Sequence, residues 1–191
     1  MKPLTREELW DLTRYELERD AYRASVIALK RFRRVSVGPE LTFIFENRDT
    51  VRFQIQEMLR TERIVKPELI QAELDVYNEL LPRAFELSAT LMVEITSKAD
   101  IRPTLDRLVG IDEHVVLEVG QDEIRATFDP KQFEEERISA VQYVRFPLGE
   151  SLARSFRDVA IPVALRLGHP SYTHRTQIED EVRRSLSSDL V

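Results

Sequence analysis

Six side chains between residues 48 and 60 have the types and spacing of a site for an anion or an acidic protein. At about 100° per residue in a helix, five of them fall on the side away from the apolar residues of the same segment, and Arg48 precedes Arg52 by one turn. Guanidinium groups one helical turn apart bind carboxylates and phosphates through paired hydrogen bonds. This arginine-rich face consists of Arg48, Asp49, Arg52, Phe53, Gln56 and Arg60.

Two interpretations of the arginine-rich face are open. In the first, it binds an acidic protein partner or a small anionic ligand. In the second, it is the ordinary solvent-facing side of a helix, with Phe53 tucked beneath a neighbouring loop. Asp49 near the start of the helix is consistent with both, because it holds the arginines in place and interacts favourably with the helix dipole.

Two histidines in the segment GHPSYTHRT offer a second kind of chemistry. His169 and His174 lie on either side of a turn that Pro170 would stiffen. Two imidazoles at this spacing can bind one metal ion, with an acid such as Glu179 or Asp180 as a further ligand. No HExxH motif accompanies them. The pair suggests a metal site, and ordinary loop histidines are the alternative.

Several classes of chemistry are excluded by composition and motifs. The sequence contains no cysteine, which excludes disulfides, thiolate zinc sites and cysteine-ligated iron–sulfur clusters from this chain. It has only five glycines, and they form neither a phosphate-binding loop nor a nucleophile elbow. Because no catalytic motif is present, the sequence leaves open whether the protein is an enzyme and whether it uses a cofactor.

The net charge of −6 argues against nucleic acid as a partner. Residues 1–65 carry 13 Lys and Arg against 11 Asp and Glu, and acidic residues dominate the remainder. The segment KRFRR, with its aromatic ring among basic residues, resembles a small nucleic-acid patch. A negative overall field nevertheless repels phosphate at a distance.

The start of the sequence, MKPLTREELW, lacks the apolar core of a signal peptide. No apolar run approaches the roughly 20 residues that are needed to cross a bilayer. Together with the absence of cysteine, this predicts a soluble cytoplasmic protein without membrane association. The sequence gives no indication of the oligomeric state.

The hydrophobic pattern predicts a single α+β domain over residues 1–191, with a largely antiparallel sheet packed with helices. Alternating apolar residues around Gly38-Pro39 predict a β-hairpin, and the helix with the arginine-rich face follows it. Residues 85–95 alternate strictly, which predicts a strand with one buried face and one polar face in solvent. Glu86 and Thr90 belong to the polar face.

The segment HVVLEVGQDEIRATF predicts a second hairpin, with a two-residue turn at Gly120-Gln121. This register places Glu118 opposite Glu123. Two like charges directly opposite each other destabilise a sheet unless something neutralises them. A metal cation or Arg125 could do so, and a different register would remove the conflict.

Four segments resemble a bacterial family that is known only as a domain of unknown function. They are MKPLTREEL, VIALKRFRRVSVG, LTFIFENRDTVRFQIQEMLRTER and GHPSYTHRT, and the resemblance spans essentially the whole chain. The family has no assigned activity. It is similar to proteins often encoded beside rubrerythrin-like di-iron proteins and an iron–sulfur oxidoreductase of the heterodisulfide-reductase type. The resemblance therefore implies a role in redox or peroxide-stress metabolism.

The chain lacks both cysteine and the paired Glu and ExxH motifs of a di-iron bundle. Within a redox system it would therefore be an accessory and not the electron carrier. The principal hypothesis is a non-catalytic binding or accessory partner of a redox protein that uses the arginine-rich face. The alternative is a small metal-dependent enzyme centred on His169 and His174.

Overall fold

The structure is a computed structural model that describes residues 1–95, 97, 100–129, 133, 134 and 137–191. Within these residues, six α-helices and eleven strands follow one another along the chain. The helices are α1 (Leu12–Arg31), α2 (Arg48–Thr61), α3 (Pro67–Asn78), α4 (Ile101–Arg107), α5 (Gly149–Arg157) and α6 (Asp180–Ser187). The strands are β1 (Arg34–Val37), β2 (Leu41–Phe45), β3 (Glu86–Val93), β4 (Val115–Val119), β5 (Asp122–Arg125), β6 (Thr127–Phe128), β7 (Phe133–Glu134), β8 (Arg137–Ile138), β9 (Val141–Pro147), β10 (Val163–His169) and β11 (Tyr172–Gln177).

Antiparallel pairing joins the described strands into two main sheets and a short ribbon. The first sheet has the order β1-β2-β3-β9-β6, and the second has the order β11-β10-β4-β5. The ribbon pairs β7 with β8. The predicted α+β class with largely antiparallel pairing is confirmed. The strands are divided between two sheets, where the sequence suggested one.

The two sheets share one core of buried apolar side chains. In the first sheet, the ring centroid of Phe146 lies 6.3 Å from that of Phe43 and 6.1 Å from that of Phe45. Leu117 and Leu165 of the second sheet belong to the same cluster and are fully buried. Packed rings of this kind stabilise a core beyond the burial of their area. The shared core thus fixes one sheet against the other.

Both predicted hairpins are present. The turn between β1 and β2 contains Gly38, whose φ of 72° is one that other residues rarely adopt. The turn between β4 and β5 begins at Gly120, with a φ of 64°. Glu118 lies opposite Glu123, so the predicted register and its like-charge pair are confirmed.

The polar face of β3 is buried, and the prediction that it faces solvent is wrong. Glu86, Ser88 and Thr90 are between 3% and 9% exposed. The Thr90 hydroxyl donates to the buried Glu46 carboxylate at 2.6 Å, and the Thr50 hydroxyl of α2 donates to the same carboxylate. Polar groups on this face satisfy one another, which removes most of the cost of burying them.

A smaller apolar cluster joins the helices next to this polar face. Val51 and Ile55 of α2 and Leu74 of α3 are fully buried within it. By contrast, α1 buries only Tyr15 and Val26 of its 20 residues. Among the described residues, none of the helices has the length and apolar character that a bilayer-spanning segment needs.

Candidate functional site

The arginine-rich face lies against the N-terminal segment of the chain and α1. The Arg48 guanidinium pairs with Glu8 and donates to the carbonyl oxygen of Pro3 at 3.1 Å. The fully buried side chain of Gln56 accepts a hydrogen bond from the Trp10 N–H at 2.6 Å and donates to the Trp10 carbonyl oxygen at 3.2 Å. These bonds fix the N-terminal segment onto α2.

Aromatic rings cover the middle of the arginine-rich face. The Arg52 guanidinium lies 5.1 Å from the ring centroid of Trp10 and 5.7 Å from that of Tyr22. At these distances a cation is attracted to the face of a ring. The Phe53 ring meets Tyr22 edge-on, with centroids 5.6 Å apart. Arg52 and Phe53 therefore contribute to the packing of α1 on α2.

The two remaining residues of the face, Asp49 and Arg60, differ in their surroundings. Arg60 pairs with Glu16 of α1 at 3.3 Å, whereas Asp49 is exposed at the start of α2. Five of the six predicted residues thus contact the N-terminal part of the same chain. Binding of a partner or an anionic ligand to this face stays a prediction.

An acid that sequence reasoning missed, Glu57, is the electrostatic centre of the contact between α1 and α2. Arg19 donates to both of its carboxylate oxygens at 2.8 Å, and the Tyr15 hydroxyl donates to one of them at 2.7 Å. The hydrogen bonds from Arg19, supported by Tyr15 and opposed by burial, lower the pKa of Glu57 to about 2. No sequence motif marked Glu57, because its partners are about 40 residues away.

The two histidines predicted as metal ligands occupy different environments. Buried His169 has its Nε2 3.0 Å from the carbonyl oxygen of Val109, and its Nδ1 accepts a hydrogen bond from the Ser171 N–H at 3.2 Å. Exposed His174 packs on the Tyr172 ring, with centroids 4.5 Å apart. Among the described residues, no group of three or more acids and histidines is arranged to hold a metal ion. This geometry gives no support to the metal-dependent alternative.

Arginines of neighbouring strands neutralise the like-charge pair in the second sheet. Arg166 of β10 donates to Glu118 at 2.6 Å and to Glu123 at 2.5 Å, and Arg175 of β11 donates to Glu118 at 2.7 Å. Burial opposes ionisation of Glu118, but the hydrogen bonds from the two arginines outweigh it and hold the pKa of Glu118 below its ordinary value. The neutralising charges come from strands outside the hairpin.

An open cleft of about 920 Å³ lies beside the first sheet. It is lined by the C-terminal half of α3, residues 79–83, β6 and β9, and also by Met1, Pro3, Met58 and Ser88. Its volume is within the range of sites that hold small molecules. Sequence reasoning missed it because Leu81 and Arg145, which meet at the floor, are 64 residues apart.

The guanidinium of Arg145 at the floor of the cleft is already engaged by the protein. It pairs with buried Glu86 and donates to the carbonyl oxygens of Leu81, at 3.3 Å, and Glu79. These bonds tie the segment after α3 to the sheet. They use three of the five N–H donors of the guanidinium and leave Nε–H and one Nη2 hydrogen for other partners.

Two tyrosines line the cleft, namely Tyr77 of α3 and Tyr143 of β9. Burial raises the pKa of Tyr77, and Tyr143 and Glu73 nearby raise it further. Burial, together with Glu46, also raises the pKa of Tyr143. Both phenols therefore stay protonated at neutral pH.

The fold and the cleft together define an α+β protein of two antiparallel sheets, with an open polar cleft at the edge of the first. The chain belongs to the DUF3501 family, described as proteins of unknown function, whose family model matches residues 3–190. This confirms the predicted membership of a family of unknown function.

A crystal structure at 1.90 Å resolution, described as a novel protein of unknown function from Burkholderia pseudomallei K96243, is similar to the whole chain. The two share 37% sequence identity over 100% of both chains, with a TM-score of 0.93. No protein of curated function matches the chain.

Proposed function

We propose that this protein is a non-catalytic binding protein that holds a small molecule in the cleft between α3 and β9. The observation that carries the proposal is the cleft itself, whose volume of about 920 Å³ suits a small ligand. Residues with hydroxyl groups, aromatic rings and charges line it. Such a combination provides both burial and orientation for a ligand.

A binding role fits the chemistry at the floor of the cleft better than catalysis does. The most polar group there, Arg145, is committed to Glu86 and to backbone carbonyl oxygens. A group with such fixed structural bonds positions the walls but is poorly placed to move protons or stabilise a developing negative charge. The ligand would thus be bound and released without chemical change.

The cellular role that we propose is that of an accessory in a redox or peroxide-stress system. Its basis is the resemblance to proteins encoded beside rubrerythrin-like and heterodisulfide-reductase-type proteins. Because the chain contains no cysteine, it cannot carry a cysteine-ligated cluster itself. A redox protein would then be its partner, and the arginine-rich face remains the proposed surface for that contact.

Native mass spectrometry tests the binding role directly. The untagged protein is dialysed against a small-molecule extract of bacterial cells and sprayed from a non-denaturing buffer. Thr127 lies opposite Arg145 in the pairing of β6 with β9 and lines the cleft, so Thr127→Trp should fill it. Thr173→Trp, on an exposed position of the second sheet, is the matched control.

We expect a bound small molecule on the wild type and on Thr173→Trp, and its loss from Thr127→Trp. Denaturation should release the molecule and allow its identification. Bare protein in all three samples, or equal occupancy in both tryptophan variants, would show that the cleft is not a binding site.

A further inference from the structure

We propose that two copies of this protein associate through the outer face of α1, with the two helices antiparallel. This inference goes beyond the proposed function, because it concerns a helix whose residues do not line the cleft. It is based on the exposed apolar residues of α1 and on the distribution of charge along the helix.

The side of α1 that faces away from α2 carries a line of apolar residues. Leu17 is 82% exposed, and three exposed alanines follow it at intervals of four, three and four residues. At about 100° per residue, the four fall within an arc of about 60°, opposite the two buried residues of the helix. This apolar line consists of Leu17, Ala21, Ala24 and Ala28, and Ile27, which is 54% exposed, lies beside it.

Such a line is unusual on a helix that packs against only one neighbour. The outer side of a surface helix is normally polar, and exposed apolar patches mark interaction surfaces. Alternating intervals of four and three residues are those by which two helices pack along their length. Because the distance between packed helices depends on the side chains at the contact, the alanines allow a close approach. At 20 residues, α1 is about 30 Å long, which suits a second helix laid along it.

The charges of α1 differ between its two halves. Its three acids lie between residues 16 and 20, whereas its second half contains three basic residues and no acid. The first half also contains two arginines, but Arg19 binds Glu57 at 2.8 Å and Arg14 lies over the ring of Trp10. The helix is therefore complementary in charge to a copy of itself that runs in the opposite direction.

On the outer side of α1, an exposed acid and an exposed base lie near opposite ends of the apolar line. Glu16 pairs with Arg60 of α2 at 3.3 Å, which leaves Glu18 and Asp20 as the outer acids. The side chain of Asp20 is fully exposed, with the neighbouring guanidinium 4.0 Å away. Exposed Arg31 is eleven residues further along, on the same flank of the apolar line.

Two antiparallel copies of α1 match these charges. When the pair is centred between Ala24 and Ala28, residues at equal distances from the centre lie opposite each other. Asp20 of each copy then comes beside Arg31 of the other, and this contact occurs twice because a two-fold axis uses the same surface on both copies. Parallel helices would instead bring like charges to the same height, where they repel. The charges thus favour a second, antiparallel copy as the occupant of this face.

The same arrangement covers the apolar residues at the ends of the face. Leu17 of one copy comes close to the end of the other helix, where Phe32 is 39% exposed. Burial of apolar area supplies most of the affinity, since exposed ion pairs contribute little. A contact of two helices is small for a protein interface, so we expect a weak, reversible dimer.

Analytical ultracentrifugation of the untagged full-length protein tests the inference. The wild type is measured at concentrations between about 1 µM and 1 mM, a range that covers weak association. Ala24→Glu places a charge at the centre of the contact and should raise the dimer Kd at least about tenfold. Ala72→Glu, the same change at an exposed position of α3, is the matched control and should leave the Kd unchanged.

A charge exchange tests the antiparallel direction. Asp20→Arg and Arg31→Glu, made singly, should each raise the Kd about fivefold, because each turns two attractive contacts into repulsive ones. The double variant restores opposite charges across the axis and should regain the wild-type Kd. A loss of helical fold would not be repaired in this way, and circular dichroism of each variant checks the fold directly.

Three outcomes would overturn the inference. A wild type that stays monomeric at every concentration would exclude a second copy and leave a different protein as the partner of this face. A dimer that Ala24→Glu weakens no more than Ala72→Glu does would have its interface elsewhere. A dimer that the single charge variants weaken and the double variant fails to restore would not be antiparallel.

Discussion

Individual charged residues of the sheets have defined partners on neighbouring strands. Glu118, which is partly buried, lies opposite Glu123 on the neighbouring strand. Arg166 reaches both glutamates, and Arg175 reaches the first of them. Without these arginines the two like charges would repel each other across the ladder.

Replacing Arg166 by methionine should therefore destabilise the protein in a pH-dependent way. At pH 7 we expect the free energy of unfolding to fall by about 1–2 kcal/mol. Glu118 has a lowered pKa in the folded state, so its stabilising contribution exists above the pKa of the unfolded chain and is lost as the pH falls through the folded value. The deficit should thus shrink as the pH is lowered from 7 through the folded pKa of Glu118, as urea denaturation over a series of decreasing pH values would show.

Arg125→Met is the matched control for this prediction. Arg125 is an exposed arginine of β5 in the same sheet, so its removal should change stability at pH 7 by much less. A deficit for Arg166→Met that stays constant between pH 7 and pH 3 would mean that packing of the long side chain, and not charge, is its main contribution.

The pair of glutamates could be predicted from the sequence, whereas their arginines could not. A two-residue turn sets the register of its own hairpin, so Glu118 opposite Glu123 followed from local pattern. Arg166 is 48 residues further along the chain. Its place beside Glu118 depends on the pairing of β10 with β4, which no local pattern specifies.

Among the elements, α1 is a long helix with few buried side chains. It buries only Tyr15 and Val26, and Leu17 on its other side is 82% exposed. Its contacts with α2 consist mainly of rings and ion pairs, including Arg52 on the ring of Tyr22, and Arg52 also contacts Trp10 just before α1. A helix with few buried apolar contacts opens more easily than the core elements.

Arg52→Ala should therefore loosen α1 without unfolding the sheets. Loss of two cation–π contacts of about 0.5–1 kcal/mol each should speed hydrogen exchange of α1 amides about five- to thirtyfold. Amides of β3 and β9 should exchange at their original rates. Hydrogen–deuterium exchange with mass spectrometry would measure both.

Arg23→Ala serves as the control, because Arg23 is an exposed arginine of α1 itself. It should leave the exchange rates nearly unchanged. Faster exchange throughout the protein after Arg52→Ala would show that α1 and the sheets unfold as one unit.

The hairpins and the helix with the arginine-rich face were predictable as elements, but the surroundings of that face were not. The face contains Arg48, Arg52, Gln56 and Arg60. A surface that faces solvent or binds a ligand has the same kinds of residue as this face, which packs against the N-terminal part of the chain. Polar residues alone do not reveal whether water, a ligand or another part of the chain satisfies them. The same ambiguity made the outer face of β3 appear solvent-facing.

At the scale of the whole molecule, a buried ion pair joins distant parts of the chain. Arg33, before β1, pairs with Asp189, after α6, and both side chains are less than 5% exposed. The same guanidinium donates to the carbonyl oxygens of Phe45, at 2.8 Å, and Glu46, at 3.1 Å. The first sheet and the segment after α6 are thus held by one arginine.

Asp189→Asn should destabilise the protein strongly, because it leaves the buried charge of Arg33 without a counter-charge. We expect a loss of about 3 kcal/mol in the free energy of unfolding at pH 7, measured by urea denaturation. Asp180→Asn, at an exposed acid of α6, should cost much less. A similar small effect of both changes would mean that Arg33 is satisfied by its carbonyl partners alone.

The cleft was unpredictable for the same reason as this ion pair. Its walls come from α3 and from β6 and β9, and the sheet order that places them side by side is not encoded in any single segment. The sequence could indicate the strands and the helix. It could not indicate the space between them, which exists only in the assembled molecule.

The separation of Arg33 and Asp189 has a consequence for the protein while it is being made. Asp189 is synthesised 156 residues after Arg33, which at about 5–20 residues per second corresponds to roughly eight to thirty seconds. For the later part of that interval the nascent chain has all of β1, β2 and β3 but no counter-charge for the arginine beside them. The first sheet therefore cannot close over Arg33 at low cost until Asp189 has been translated.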